Sequence, residues 1–187
     1  MTFSKNRAFT LVELMVAISI IGILTAIALV AFGGARMKSR DTTRVSDLNQ
    51  IRLAVEQYYM KCKQYPLKLD LTVSNGCSNG ITLGTFMSTP PKDPLTGASY
   101  IYMVNDPVNT SLVPGAIGYI PSDYILMANL ENVNDNSLTD DIDLTKSQLI
   151  NYYTFVSNSY VKVSTAPTIS CEDTHDVTYH SYCLRAQ

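Results

Sequence analysis

Residues 9–32 read FTLVELMVAISIIGILTAIALVAF, and this stretch of twenty-four residues contains one charged side chain, Glu13. As an α-helix it would be about 36 Å long, at about 1.5 Å per residue, which is enough to cross a bilayer. A carboxylate at the centre of a membrane helix costs roughly 2.5–3.5 kcal/mol, and less near the interface. Glu13 is therefore expected to have a function and a partner for its charge. The alternative is that its side chain only reaches back to the headgroup layer.

A short basic segment precedes the apolar stretch. Lys5 and Arg7 come before the small residue Ala8. In an ordinary secretory signal the apolar core comes before the cleavage site, whereas here the apolar run follows the small residue. Cleavage after Ala8 would therefore leave the membrane helix on the mature chain.

Residues 7–24, RAFTLVELMVAISIIGIL, closely resemble the amino-terminal segment of type IV pilins and type II secretion pseudopilins. The resemblance implies that a prepilin peptidase cuts between Ala8 and Phe9, that the new amine of Phe9 is methylated, and that Glu13 is needed for assembly. It further implies a single-pass precursor in the inner or cytoplasmic membrane, an inner-membrane assembly platform as a partner, and a helical filament of many copies. Ala8 departs from the Gly that the family usually has before the cut.

A physical role for Glu13 follows from that cut. The amine left on Phe9 is a cation at the edge of the apolar layer, and the carboxylate of a neighbouring copy can neutralise it when helices stack with an axial stagger. A misaligned helix would leave both charges unpaired. The hypothesis is therefore that this pair sets the register between subunits.

Positive charge flanks the apolar stretch on both sides. After it, interrupted by Asp41 and Asp47, come four basic side chains: Arg36, Lys38, Arg40 and Arg44. By the positive-inside rule alone, these residues favour the opposite orientation. The prepilin-like motif is given more weight, so the part of the chain that follows is expected outside the cytoplasm, and then on a filament or the cell surface.

The helical pattern continues beyond the membrane stretch. Apolar residues recur at three- and four-residue spacing with polar residues between them, and the set comprises Val45, Leu48, Ile51 or Arg52, Val55, Tyr58 and Tyr59. The helix is expected to end before Tyr65-Pro66, since proline disfavours helix at the preceding residue. The predicted organisation is a leader over 1–8, a membrane and filament-core helix over 9–35, an amphipathic extension over 36–64 and a globular head over 65–187.

The predicted head contains short strands separated by turns. Residues 88–97, STPPKDPLTG, are rich in turn formers, and strands are predicted at 100–104, 124–130, 152–156 and 160–163. One long helix followed by short strands predicts an α+β fold, with a small antiparallel sheet packed on the amphipathic half of the helix. The turns and tyrosines of this region are similar to the head of the major pseudopilin.

Four cysteines lie beyond the apolar stretch: Cys62, Cys77, Cys171 and Cys183. An even number in an extracytoplasmic segment indicates two disulfides, with three connectivities open. Proximity favours Cys62 with Cys77 and Cys171 with Cys183, and the second pair would resemble the disulfide-bounded carboxy-terminal loop of many pilins. The rival interpretation is a zinc site, in which His175 and His180 join Cys171 and Cys183, but an oxidising location argues against free thiolates.

A second candidate metal site lies in a polar loop. Five side chains fall at the first, third, fifth, ninth and twelfth places of a twelve-residue frame, the spacing of a calcium-binding loop: Asn132, Asn134, Asn136, Asp140 and Asp143. Ser137 stands at the sixth place, where such loops have Gly. The expectation is a solvated polar loop without a cofactor, and the alternative is a loop that binds calcium.

The composition excludes several classes of function. With 46% hydrophobic residues, 16% charged residues and a net charge of −2, the chain is neither disordered nor a nucleic-acid binder by bulk electrostatics. It has no Walker loop, dinucleotide-binding glycine pattern, HExxH or nucleophile elbow, so an enzyme is not predicted. The sequence predicts a polymerising subunit of a pilus, a secretion pseudopilus or a competence system. The alternative is a single-pass anchored binding module that does not polymerise.

Overall fold

The computed structural model describes residues 9–72, 77, 80–105, 114, 119–132, 152–156, 159–162, 171 and 181–185. Within them it contains one α-helix, one short 3₁₀ turn and five β-strands. The chain divides into two units, Met1–Ser39 and Arg40–Gln187, and helix α1, Leu11–Cys62, contributes residues to each. The predicted α+β fold, one long amino-terminal helix with a small antiparallel sheet, is confirmed.

In the first unit, the described residues are mainly the amino-terminal part of α1, whose apolar side chains are exposed. An 18-residue window of this helix has a mean hydropathy of 2.8, and none of it is buried. By length and composition the helix could cross a membrane. Its hydroxyl groups are bonded locally, because Ser19 donates to the Met15 carbonyl at 2.8 Å and Thr25 to the Ile21 carbonyl at 2.7 Å. Such bonds suit a helix in lipid, where water cannot serve the hydroxyls.

In the second unit, the remaining part of α1 is amphipathic. Its core side is fully buried at Leu48, Ile51, Val55 and Tyr58. These residues occur at three- and four-residue spacing, which places them along one side of a helix. Ile51 rather than Arg52 is therefore the core residue of that turn. The opposite side is exposed, with Leu53 59% accessible.

The five strands form one antiparallel sheet in the order β4-β3-β1-β2-β5. Their bounds are Ile101–Asn105 for β1, Asp123–Asn129 for β2, Tyr153–Val156 for β3, Ser159–Lys162 for β4 and Ser181–Arg185 for β5. Each of the four predicted strands has a counterpart here, whereas the sequence pattern did not predict β5. The central pair β1 and β2 is in register over five residue pairs, with Met103 opposite Ile125.

The two faces of the sheet bury different side chains, as the alternation of a strand requires. Tyr102, Val104 and Leu126 belong to the cluster that includes the core residues of α1. On the other face, a smaller cluster is built around Met103 and Ile125. This second cluster also contains Met127, Tyr152, Cys171 and Cys183.

Helix α1 ends in a tight turn that leads back over the core. Lys63 follows the last helical residue with a φ of 57° and donates its N–H to the Tyr59 carbonyl at 2.8 Å. Tyr65 then stacks on Tyr59, with ring centroids 4.5 Å apart, and donates its N–H to the Pro121 carbonyl at 2.7 Å. The helix therefore ends before Tyr65-Pro66, as predicted.

The four cysteines form two disulfides in the second unit. Cys62 is bonded to Cys77 with a Cα–Cα distance of 5.1 Å, and Cys171 to Cys183 with 5.9 Å. These are the pairs that sequence proximity favoured. The first bond joins the last residue of α1 to the loop that follows it. The second lies within the smaller cluster.

Candidate assembly site

The first turn of α1 is built around Thr10 and Glu13. The backbone N–H of Thr10 donates to Glu13 Oε2 at 2.9 Å, and its hydroxyl donates to the same oxygen at 2.8 Å. In return, the backbone N–H of Glu13 approaches Thr10 Oγ1 at 3.2 Å. This reciprocal arrangement is a capping box, in which a residue before the helix and the third helical residue satisfy each other's backbone donors. It fixes the start of α1 at Leu11.

The capping box changes the interpretation of the acidic side chain. In the sequence, the Glu13 carboxylate is a charge that needs a partner, and the structure gives it two donors from Thr10 within the same chain. The spacing Thr-x-x-Glu was the signal that could have revealed this contact. A carboxylate bonded in this way still carries its full charge. A cation supplied from outside the turn would therefore still stabilise it.

The predicted processing residues lie directly before this turn. Phe9 is 88% exposed, and Ala8 lies outside the described residues. Phe9 precedes Glu13 by four residues, which is about one helical turn. The donors of the capping box are the N–H and hydroxyl of Thr10. Removal of residues 1–8 would therefore leave the box intact.

Two of the four basic residues after the apolar stretch belong to a cluster of ion pairs. Arg40 and Arg44 take part in an ion-pair cluster of the second unit, here named the arginine clasp, which consists of Arg40, Asp41, Arg44, Asp93 and Glu131. Arg44 is 3% exposed and donates to Asp41 Oδ1 at 2.6 Å, to Glu131 Oε1 at 2.7 Å and to Asp93 Oδ2 at 2.5 Å. Arg40 donates to both oxygens of Glu131.

Asp41 connects the arginine clasp to the backbone beyond the sheet. It is fully buried and accepts the backbone N–H groups of Glu131 and Asn132, each at 2.9 Å. The residues that follow β2 are thus bonded to α1 through a charged side chain. A buried charge is tolerated when its oxygens are paired and hydrogen-bonded, as they are here.

The clasp shifts the pKa values of its members in the expected directions. The hydrogen bond from Arg40 lowers the pKa of Glu131 to about 2, with burial opposing and Arg44 adding to the effect. Burial alone would raise the pKa of Asp93, but hydrogen bonds from Arg44 and from the Thr96 backbone hold it well below its ordinary value. Both carboxylates are therefore ionised at neutral pH.

The structure contradicts the zinc hypothesis and does not test the calcium hypothesis. Cys171 and Cys183 are bonded to each other, so they offer no thiolate to a zinc ion, and His175 and His180 lie outside the described residues. Of the calcium set, Asn132 is described, whereas Asn134, Asn136, Asp140 and Asp143 lie outside the described part, so this loop stays a prediction. Within the part of the chain that the structure describes, no group of three or more His, Cys, Asp or Glu side chains is arranged to hold a metal ion.

Comparison with known proteins bears on the same segment. Residues 3–29 match the family model described as the prokaryotic N-terminal methylation motif. The chain carries this methylation motif. The matched residues include Phe9, the capping box and most of the apolar part of α1.

Proteins similar to the motif-bearing segment are named as fimbrial and pilin proteins. The chain is 42% identical over 53 residues to a probable minor fimbrial protein of Dichelobacter nodosus, covering 28% of this chain and 33% of that protein. It is 34% identical over 61 residues to the type IV major pilin protein PilA of Myxococcus xanthus, covering 33% of this chain and 28% of that protein. The matches thus span about a third of the length of these relatives. No solved structure matches the chain. The amino-terminal segment, with its methylation motif, is thus similar to that of fimbrial and type IV pilin proteins.

Proposed function

We propose that this chain is the precursor of a filament subunit of the type IV pilus kind. It enters the membrane through the apolar part of α1, is cut between Ala8 and Phe9 by a prepilin peptidase, and is methylated on the Phe9 amine. It then polymerises by helix packing with the help of an inner-membrane assembly platform. The observation that carries this proposal is the methylation motif around an exposed apolar helix whose third residue is Glu13.

The mechanism rests on charge pairing between copies. After the cut, the Phe9 amine is a cation, methylated or not, and it stands at the end of an apolar helix. The Glu13 carboxylate of a neighbouring copy is the complementary anion. Two isolated charges at the edge of a low-dielectric layer are each costly, whereas a pair costs less, so the aligned arrangement is favoured over misaligned ones. The capping box satisfies the carboxylate of each copy until the pair forms.

Two observations favour a pilus over a secretion pseudopilus. The relatives that match the amino-terminal segment are named fimbrial and pilin proteins. The disulfide between Cys171 and Cys183 resembles the one that bounds the carboxy-terminal loop of many pilins, and disulfides persist in oxidising compartments outside the cytoplasm. The second unit would accordingly be extracytoplasmic, first at the membrane and then on the filament.

The test uses two substitutions at Glu13. Glu13→Ala removes both the charge and the cap, whereas Glu13→Gln keeps an oxygen that Thr10 can donate to and removes only the charge. If charge pairing drives assembly, both variants should enter the membrane in normal amounts and yield few or no sheared filaments. Asp70→Asn is the matched control, because its carboxylate bonds to Thr72 and Lys68 in its own loop.

The outcomes separate the proposal from its alternative. Normal filaments from the Glu13→Gln variant would contradict charge pairing and leave the carboxylate with a capping role only. A wild-type chain that is stable in the membrane but never forms filaments in a cell equipped for pilus assembly would instead indicate an anchored binding module.

A further inference from the structure

Two basic side chains follow the apolar segment within the first unit. Arg36 and Lys38 are both exposed. The next two basic residues, Arg40 and Arg44, belong to the arginine clasp of the second unit. Among the described residues, Arg36 has no ion pair. The described part of the first unit has a single acidic residue, Glu13, which is near the opposite end. The charged residues at the carboxyl end of the first unit, Arg36 and Lys38, are thus both basic.

Their distance from the helix start matches the thickness of a membrane. From Leu11 to Arg36 the helix rises about 38 Å, and a bilayer with its headgroup regions is about 40–45 Å thick. If the first turn of α1 lies at one headgroup layer, Arg36 lies close to the other. Arginine and lysine have long apolar stems that let the charged end reach phosphate groups while the stem stays in the interface.

The spacing of the two residues selects the kind of partner. Successive helical residues are about 100° apart, so Arg36 and Lys38 point to nearly opposite sides of α1. A single protein docked on this helix would contact one side and leave the other basic side chain outside the contact. A headgroup layer surrounds the helix and can contact both.

We infer that Arg36 and Lys38 bind the phosphate groups of anionic phospholipids in the leaflet at the carboxyl end of the membrane segment. This contact enriches such lipids around the helix and sets its depth in the bilayer. Basic residues close to an anionic surface typically favour association by about fivefold each. The inference rests on the membrane-inserted stage of the proposed function and not on polymerisation.

Because the sequence contains no tryptophan, one introduced tryptophan can report on this contact. Phe32→Trp, at an exposed position one turn before Arg36, places a single tryptophan near the proposed lipid site, and its emission can be excited apart from that of the tyrosines. The full chain is reconstituted into vesicles of mixed phosphatidylcholine and phosphatidylglycerol. Either one lipid or the other carries brominated acyl chains, which quench tryptophan fluorescence on contact. The ratio of the two quenching levels reports local enrichment of the anionic lipid.

We expect brominated phosphatidylglycerol to quench more strongly than brominated phosphatidylcholine at equal mole fraction. When Arg36→Gln and Lys38→Gln are added to the Phe32→Trp protein, the two brominated lipids should quench equally. High salt should reduce the difference in quenching in the Phe32→Trp protein itself. Lys61→Gln is the matched control, because Lys61 is an exposed lysine in the last turn of α1, well beyond the membrane segment. It should leave the enrichment unchanged.

Equal quenching by the two lipids in the parent, or full enrichment in the double glutamine variant, would overturn the inference. Absence of quenching by either lipid would show that the helix does not insert, and would overturn the membrane stage of the proposed function as well. Filament assembly enters none of these readouts, so failure of the charge-pairing mechanism would be seen separately in the Glu13 variants.

Discussion

At the residue scale, Gly84 packs against the backbone of the preceding loop. Its N–H donates to the Leu71 carbonyl at 3.2 Å, and a Cβ on Gly84 would be 2.6 Å from the same oxygen. Since a backbone carbonyl cannot swing away as the end of a flexible side chain can, an added methyl group must displace the turn. We expect Gly84→Ala to lower the free energy of unfolding by about 1–3 kcal/mol, measured by denaturant titration of the full chain in detergent.

Gly22 provides the control for that substitution. Apart from the nearby backbone of its own helix, no atom of the described residues lies within 4 Å of a Cβ built there, and the residue is helical. Gly22→Ala should therefore leave the second unit as stable as in the parent chain. Equal stability of the Gly84→Ala variant and the parent would contradict the close approach of Gly84 to Leu71.

Glu13 and Thr10 show how far sequence reasoning reaches at this scale. The isolated carboxylate in an apolar run was visible in the sequence, and its position in the methylation motif follows from the matched segment. The capping contact was not predicted, because the carboxylate was weighed against lipid rather than against the backbone donors of the first turn. The arginine clasp could not be predicted in the same way. In the sequence, Arg44 is 49 residues from Asp93 and 87 residues from Glu131, so no local pattern indicates that they are in contact.

At the scale of elements, the arginine clasp makes the stability of the second unit depend on acid. The folded-state pKa of Glu131 is about 2, below the ordinary value of 4.5, and the pKa of Asp93 is also depressed. A carboxyl group with a depressed pKa stabilises the fold fully above its unfolded-state pKa, and this contribution is lost as the pH falls through the folded value. Stability should therefore decrease between about pH 4.5 and pH 2.

The measurement is the free energy of unfolding as a function of pH in the parent and in Glu131→Gln. The substitution removes one of the titrating groups, so the variant should be less stable near neutrality and should lose less stability on acidification. Identical slopes for the two proteins over this range would show that Glu131 does not contribute the expected linkage.

Element prediction was most successful where the signal is local. The spacing of Leu48, Val55 and Tyr58 predicted the buried side of α1, and tyrosine-rich runs predicted the strands that became β1 and β2. Strand β5 was missed because its residues were interpreted through their cysteine alone. It pairs with β2 over five residue pairs, and that partner lies more than fifty residues earlier in the chain. Pairing of this kind depends on the whole sheet rather than on local sequence.

At the scale of the whole molecule, the two disulfides stabilise different parts of the core. Cys62 and Cys77 belong to the cluster shared by α1 and one face of the sheet, and Cys171 and Cys183 to the smaller cluster on the other face. A disulfide closing a loop of about 15 residues contributes roughly 3 kcal/mol by restricting the unfolded chain. Replacing either pair by serines should lower the free energy of unfolding by about that amount.

The combination of the two replacements tests their independence. Because the two bonds lie in separate clusters, their effects should add to within about 0.5 kcal/mol. The comparison requires denaturant titrations of the parent, both double-serine variants and the variant without cysteines. A combined effect no larger than that of one pair would contradict the assignment of the bonds to separate parts of the core.

In the proposed function, the chain is made as a precursor, trimmed at its amino terminus and assembled into a filament. Mass spectrometry of filaments sheared from cells that express the wild-type chain tests this claim most directly. The proposed function predicts that the filament subunit lacks residues 1–8 and that its amino-terminal peptide begins with N-methylated Phe9. Filaments without this protein, or a surface-exposed chain that still carries residues 1–8, would contradict it.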